Sequence, residues 1–571
     1  MSFVVKIIRL LILVISFYGY IQTVQKKVKL EFSIGIIFSA IGSTMFLAGI
    51  LNIMKEAAIL ICLFGIVLAI QSVYKREKIQ SIICTGTIFF LVTCVFFAFL
   101  LYGNKFLDYD NFSHWALVEK TLLSKNRFPN FMDSNIMFQS YPPGSASYIY
   151  YICKITGIHS EWMQMYAQTT LMSGILISLF AFSNRWQNKL LMCVGSMVLL
   201  AGNTRLDSLL VDSLLAITAL GGMAFCIYYR NSMHCKLEFI LPYVIFLIAI
   251  KNSGIFFAIV ILIYALLHIK KNKKSFGKWI FVLISSFVPL LLWQKHVKLV
   301  FDNGLMAKHS MSLDNFEMVF GEKGWGDIIT ISSKFFRNMF SLSNAIIYIF
   351  LFMLLLWIVV KRSGSKGENK KRLKNIYCII VFSYITYQIS LYGMYLFTMP
   401  LSEALELAAY SRYHDTILVF VSGILLIGVS LVSSSFSLHN RGIKLLIVNM
   451  LCLVCIYLGV NCKLEYYQKR DFNNTARGKY DKIIAEYNIQ SQKRYLLITK
   501  SDVDAGYLYY LSKYLLDPST ITVLSVEELE EYSIVENYDY VIGWNREKRI
   551  EEYIEKIDEE QVNVQSIMAE K

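Results

Sequence analysis

Charge is what this chain has little of. Of its 571 residues only 17% are Asp, Glu, Lys or Arg, while 56% are hydrophobic and the mean hydropathy is +0.50. One or two soluble cores do not need that much apolar sequence, so an ordinary soluble class is excluded. Three further absences narrow the reading. No small-x-small cleavage site follows the first apolar run, which therefore reads as a helix and not as a removed signal peptide. No cysteine follows Cys462, so the C-terminal region is not stapled by disulfides. No Gly-rich loop follows the first strand-like run of that region, which leaves nucleotide binding with little support. The eleven cysteines fall mostly inside apolar runs. Cys452-Leu-Val-Cys455 has CxxC spacing but lies within an expected span, so buried thiols are favoured over a metal or redox role.

What is present is a succession of apolar runs, each approaching the length needed to cross about 30 Å of hydrocarbon as helix. There are roughly fourteen: residues 3–21, 31–53, 57–74, 81–102, 163–183, 188–203, 206–229, 237–250, 252–268, 279–293, 343–360, 375–397, 414–436 and 444–461. The expected fold is thus an α-helical polytopic membrane protein. Basic clusters occupy alternate loops: Lys26/Lys27/Lys29, Lys75/Arg76/Lys78, Arg185/Lys189, Arg230/Lys236, Lys270 to Lys278, Lys361 to Lys374 and Arg441/Lys444. The positive-inside rule makes those loops cytoplasmic. Residues 103–160, 294–342, 398–413 and everything after Cys462 are then expected outside. Alternation puts the N-terminus outside too, against the pull of Lys6 and Arg9.

Four regions follow: N-terminal spans over 1–102, a first large outer loop over 103–160, a transmembrane core over 161–461, and an outer domain over 462–571. The net charge of +15 divides unevenly among them. Residues 462–571 hold 15 Lys+Arg and 21 Asp+Glu, a balance of −6, which leaves +21 for the membrane part. The basic excess is topological, spread over short loops without interleaved aromatics, and so is no sign of nucleic-acid binding. Within the tail, Tyr495–Thr499, Ile521–Ser525 and Tyr538–Gly543 read as strands, alternating with helical patterns at 476–488, 503–515 and 547–558. That order predicts a small α/β unit with a short parallel sheet. Packing or acceptor docking is its favoured role over a second active site.

The chemistry-bearing residues begin in the first outer loop. Asp108 and Asp110, His114 and the rigid Tyr141-Pro142-Pro143-Gly144 turn lie just outside the expected bilayer. Phe112, Trp115, Ala116, Val118, Leu122 and Leu123 are spaced for one helical face, which would let residues 110–123 lie along the membrane surface. Asp110 and His114 are then i and i+4 neighbours, fit for general-base work, for orienting an imidazole or for sharing a divalent ion. The plainer alternative has Asp110 capping an interfacial helix while His114 faces water. Asp207 and Asp212 open the span at 206, Lys251 ends a helix, and Arg412 precedes an inward-going span. Ionisable groups at such positions usually face a cavity and a partner. Lys251 and Arg412 could hold a phosphate while a carboxylate activates a hydroxyl, or they could snorkel.

In order, Asp-Asn-Phe-Ser-His-Trp-Ala (110–116), Tyr-Pro-Pro-Gly (141–144), Val-Asp-Ser-Leu-Leu-Ala (211–216), Lys-Asn-Ser-Gly (251–254) and Ser-Arg-Tyr (411–413) resemble the landmarks of bacterial GT-C superfamily glycosyltransferases, the group of protein mannosyltransferases and aminoarabinose transferases. The resemblance covers about residues 80–420. It implies transfer of a sugar from a polyprenyl-phosphate carrier to an envelope acceptor (glycan, lipid or protein) at the outer membrane face, with inversion at the anomeric carbon. Asp110 is then the base, and Lys251 and Arg412 meet the donor phosphate. His114 and Asp108 orient donor or ion, and Tyr141, Asp207, Asp212 and Tyr413 line the cavity. Relatives often carry a second acid after the base; here Asn111 stands there, so a divalent cation (Mg or Mn) would lean on Asp108, Asp110 and His114.

Two other classes compete. A polysaccharide transporter or flippase should carry polar groups along a mid-membrane pathway, whereas the ionisable residues here gather at one edge. A polysaccharide polymerase or ligase should show a large late outer loop with paired arginines, whereas 398–413 is short and holds Arg412 alone.

Overall fold

The computed structural model describes residues 3–75, 81–133, 136, 138–270, 272–301, 313–342, 344–362, 367–433, 441–517, 519–530, 537–561 and 564–569. Of the basic-loop residues used for orientation, Arg76, Lys78, Lys271 and Lys366 lie outside them.

Each of the fourteen apolar runs overlaps a helix among the described residues. Among the described residues seven helices are long and apolar enough to cross a membrane: Phe3–Val24, Leu30–Ile50, Met54–Tyr74, Glu161–Phe182, Lys273–Val300, Lys370–Phe397 and Tyr410–Ser433. Five more are apolar but shorter: Thr85–Leu101, Asp212–Tyr228, Leu237–Ile250, Gly254–His268 and Leu445–Gly459. Trp186–Leu200 and Ile346–Arg362, of 15 and 17 residues, complete the set. The shortfall from fourteen has a structural cause. Apolar residues that sequence reading joins to a helix instead belong to irregular, buried backbone, as in 201–211, so hydropathy overstates helix length there.

The chain divides into two compact units. The helical unit comprises Met1–Gly103, Thr121–Met132 and Phe138–Gln468. At its centre are Tyr410–Ser433, Glu161–Phe182 and Leu30–Ile50, whose most apolar windows are 94%, 89% and 78% buried, whereas that of Phe3–Val24 is 17% buried. The first three helices are therefore covered by protein and the last presents most of its apolar surface outward, as a lipid-facing helix does.

The α/β unit comprises Asn104–Lys120, Asp133–Met137 and Lys469–Lys571. Its sheet has four parallel strands, β1 (Arg494–Thr499), β2 (Thr520–Ser525), β3 (Tyr540–Gly543) and β4 (Gln565–Met568), in the order β2-β1-β3-β4. The three expected strands are all present, and β4 is additional. Helices Ala476–Glu486, Asp502–Leu516 and Lys548–Glu560 stand where the sequence pattern put them. The central strand is buried from Tyr495 to Thr499, as a parallel strand covered on both faces must be. Leu496, Ile498 and Val541 pack with Ile550, Ile554 and Ile557 of the last helix in one core.

Residues 104–120, from the first expected outer loop, group with the tail in this unit. Phe112 lies 5.8 Å from the Tyr507 ring and 5.3 Å from that of Tyr514, with the Arg477 guanidinium 6.0 Å away. Tyr507 Oη donates to Leu107 O (2.8 Å) and Lys105 Nζ pairs with Asp481 (2.9 Å). Asn111 to Glu119 are all buried. Phe112, read as part of a membrane-seeking face, is thus packed against helix Asp502–Leu516.

Candidate functional site

In the helical unit the chain leaves helix Trp186–Leu200 and runs irregularly to Val211, with Arg205 the sole residue of 201–211 that is not buried. Non-helical backbone among apolar helices must have its polar groups satisfied from within. Here Gln168 Nε2 donates to Ser208 O (3.2 Å) and Leu210 O (3.1 Å). Ser213 Oγ donates to Gly202 O (3.1 Å) and accepts from Thr204 N (3.2 Å). Asn203, in left-handed backbone with φ 75°, donates from Nδ2 to Thr416 Oγ1 (3.0 Å). These bonds set Asp212 in the first turn of helix Asp212–Tyr228, where the backbone dipole favours a carboxylate.

Lys251 follows helix Leu241–Ile250 in extended backbone, and the chain turns at once into Gly254–His268. The turn closes through Gly254 N to Lys251 O (2.8 Å), and a Cβ at residue 254 would lie 2.6 Å from Leu247 C, so glycine is required there. Arg412 stands in the first turn of Tyr410–Ser433, after a bend in which Leu407 (φ 48°) and Ala409 (φ 56°) both adopt the left-handed region. Such backbone costs about 1–2 kcal/mol per residue for side chains of this kind and persists only where its surroundings hold it. Tyr395 Oη, donating to Ala408 O (2.8 Å), is one such hold.

The three charges meet. Lys251 Nζ donates to Asp212 Oδ1 at 3.0 Å, and Arg412 Nε lies 3.5 Å from Asp212 Oδ2. Aromatic faces frame them: Lys251 Nζ is 5.0 Å from the Tyr413 ring centroid and 5.9 Å from that of Tyr141, and Arg412 Cζ is 5.4 Å from Tyr413. The side chains of Asp212 and Lys251 are 4% and 9% exposed while Arg412 is 30% exposed, so the guanidinium forms the open side of the cluster. Lys251 and Arg412, for which snorkelling was the alternative, both turn toward one carboxylate. The ammonium and the guanidinium are thus oriented on one carboxylate, donors of the kind that also bind phosphate.

Asp207, also expected to line the cavity, is engaged differently. Arg205 holds both its carboxylate oxygens, at 2.8 and 3.4 Å, and itself lies 5.1 Å over the Tyr466 ring. Arg205 was not singled out from the sequence, although its i, i+2 spacing from Asp207 in a polar break was a usable signal.

The other expected site residues lie in the α/β unit. Asp110 is half-buried at the head of a π-helical turn, Asn111–Trp115, closed by Ala116 N to Asn111 O. Asp108 lies 3.8 Å from Arg470. His114 was expected as an α-helical i, i+4 partner of Asp110, or, in the plainer alternative, facing water. It is instead 3% exposed, its ring edge-on to Trp115 at 4.7 Å, in a turn of wider period. With His114 in the core and Asp108 beside a guanidinium, the three do not form a ligand set. Among the described residues no group of three or more His, Cys, Asp or Glu is placed to hold a metal ion.

One buried acid was missed. Glu119, on helix Ala116–Lys125, is fully buried, and neither carboxylate oxygen has a hydrogen-bond partner among the described residues. Burial alone pushes its carboxyl well above the ordinary range. Comparison of the chain with protein-family models, with curated proteins and with solved structures gave no match.

Proposed function

We propose that this is an integral membrane glycosyltransferase that takes a sugar from a polyprenyl-phosphate carrier and passes it to an envelope acceptor at the outer face. The observation that carries this reading is the Asp212 carboxylate shared by Lys251 and Arg412 in an otherwise apolar helical unit. Ionisable groups gathered at the ends of apolar helices usually face a cavity and a ligand, and Lys251 with the partly exposed Arg412 offers the donors that suit a phosphate. A phosphate attached to a membrane-dissolved chain fits such a position, because its prenyl tail stays in hydrocarbon while its head reaches the charges.

In the reaction the acceptor oxygen bonds to the anomeric carbon as the bond from that carbon to the phosphate oxygen breaks. The electron pair leaves on the phosphate, where Lys251 and the forked guanidinium of Arg412 offset the developing charge. Asp212 holds both cations in place between turnovers, a positioning role. The resemblance gives the acceptor's proton to Asp110, whose carboxylate is half-buried. By the same resemblance His114 and Asp108 orient the donor, and no step is drawn through a metal ion. The chain would cross the membrane many times with the α/β unit outside.

The test is binding of a polyprenyl monophosphate to protein in lipid nanodiscs. Arg412→Lys and Lys251→Met should weaken it, by about 2–5 kcal/mol where the charge is desolvated, with acceptor affinity unchanged. Binding left intact by both would end the reading. In cells, Asp110→Asn should let a polyprenyl-phosphate sugar build up while an envelope glycan loses a substituent. If an undecorated oligosaccharide on a lipid diphosphate accumulates in its place, the polymerase or ligase class takes over.

A further inference from the structure

The helical unit holds a second feature that this chemistry does not use. Helices Ile346–Arg362 and Gly367–Phe397 run antiparallel, with Phe350 against Tyr384 (5.8 Å between rings) and Trp357 against Tyr377 (6.2 Å). Between them lies an open groove of about 900 Å³. On the second helix Tyr377, Cys378, Val381, Phe382 and Ile385 line it, a spacing of three and four that keeps one face turned into it. Lys374 closes one end. The pairing of Trp357 with Tyr377 brings Lys361 and Arg362, at the end of the first helix, to that same end, where Lys370 and Lys371 also stand.

We propose that this groove binds one anionic glycerophospholipid of the bilayer, its acyl chain along the apolar wall and its head group on the lysine collar. Three observations select that occupant. The second helix is long and apolar enough to span a membrane, so the groove opens sideways into hydrocarbon. Lys374 lines one end of the groove and Lys361, Arg362, Lys370 and Lys371 stand near it on the helix ends, a basic cluster that matches a net negative head and gives no advantage to a zwitterionic one. From Lys374 to Thr386 the lined face is about 18 Å long at 1.5 Å per residue, close to the depth of one leaflet, about 15 Å. A leaflet lipid fits that length, and a polyprenyl chain would overrun it. The collar belongs to a loop expected on the cytoplasmic side, where anionic lipids are enriched.

The experiment uses purified full-length protein exchanged into phosphatidylglycerol or phosphatidylcholine, with retained lipid counted by native mass spectrometry and Cys378 alkylation timed in parallel. Phosphatidylglycerol should be retained in preference and should slow alkylation of Cys378, which is exposed on the groove wall. Lys361→Met with Lys374→Met should reduce the preference by about fivefold for each charge removed. Val381→Trp, which fills the groove and keeps the collar, should abolish both retention and protection. Equal retention of the two lipids, a preference that survives these variants, capture of polyprenyl phosphate ahead of phosphatidylglycerol, or burial of the groove in a dimer would each overturn the assignment.

Discussion

Gly144 stands against the peptide of Ala249: a Cβ at residue 144 would lie 2.6 Å from Ala249 C. This close approach begins helix Gly144–Thr156 beside the end of the helix that delivers Lys251, and Tyr141 comes to rest over the ammonium. The Tyr-Pro-Pro-Gly turn therefore acts through packing. Gly144→Ala should cost about 1–3 kcal/mol by overpacking, read as a lower midpoint of thermal unfolding in detergent. An unchanged midpoint would show that the two backbones are free to part.

Removing the shared carboxylate leaves two cations without it. Asp212→Asn should destabilise the helical unit by about 3–5 kcal/mol, because a broken buried pair leaves charge uncompensated. Adding Lys251→Met should return part of that loss. A double-mutant cycle on urea unfolding measures the coupling, expected at about 0.5–3 kcal/mol; additive effects would mean the two side chains do not depend on one another.

Phe112→Ala distinguishes a core residue from a lipid anchor. Against Tyr507 and Tyr514 the ring's loss should cost the α/β unit about 3–5 kcal/mol, exposing helix Asp502–Leu516 to hydrogen exchange. If exchange there is unaltered while membrane association of residues 104–120 falls, the surface-helix reading returns.

Glu119 makes a pH prediction with a definite sign. Its folded-state carboxyl titrates well above the unfolded value because burial disfavours the charged form. The folded state then binds more protons than the unfolded one, so stability is fully present below the unfolded value, about 4.3, and declines as pH rises beyond it. Protease resistance of residues 104–120 should be greater at pH 5 than at pH 8, and Glu119→Gln should flatten that difference. A difference that persists in the variant assigns the effect elsewhere.

Orientation has a native reporter. Cys235 is exposed in a loop expected on the cytoplasmic side, and Lys482 is exposed in the α/β unit. In intact cells an impermeant thiol reagent should label Lys482→Cys and spare Cys235; labelling of Cys235 would reverse the topology.

Apolar runs marked the helices because burial in protein and burial in lipid select the same residues. For that reason they did not reveal which helices span or where 201–211 breaks. The strands and helices of residues 476–560 were legible because alternation and helical periods survive in so short a unit. The face containing Phe112 and Trp115 was legible as apolar, but its cover was not, since periodicity says nothing about the partner and helix Asp502–Leu516 lies hundreds of residues on. Asp212, Lys251 and Arg412 could each be suspected as costly groups near hydrocarbon. Their meeting on one carboxylate depends on three separate helix ends, and no local pattern encodes it.

The α/β unit is sewn from three stretches, and the Tyr507 hydroxyl reaches a carbonyl 400 residues earlier in the chain. Synthesis proceeds at about 5–20 residues per second, so the Phe112 segment emerges on the order of tens of seconds before helix Asp502–Leu516 exists to cover it. Over that interval the growing chain displays an uncovered apolar segment. The display ends only when the C-terminal strands and helices have been made. Any chain that stops short, by truncation or stalled translation, keeps it showing, which makes residues 104–120 a built-in mark of incompleteness for chaperones and quality-control proteases to read.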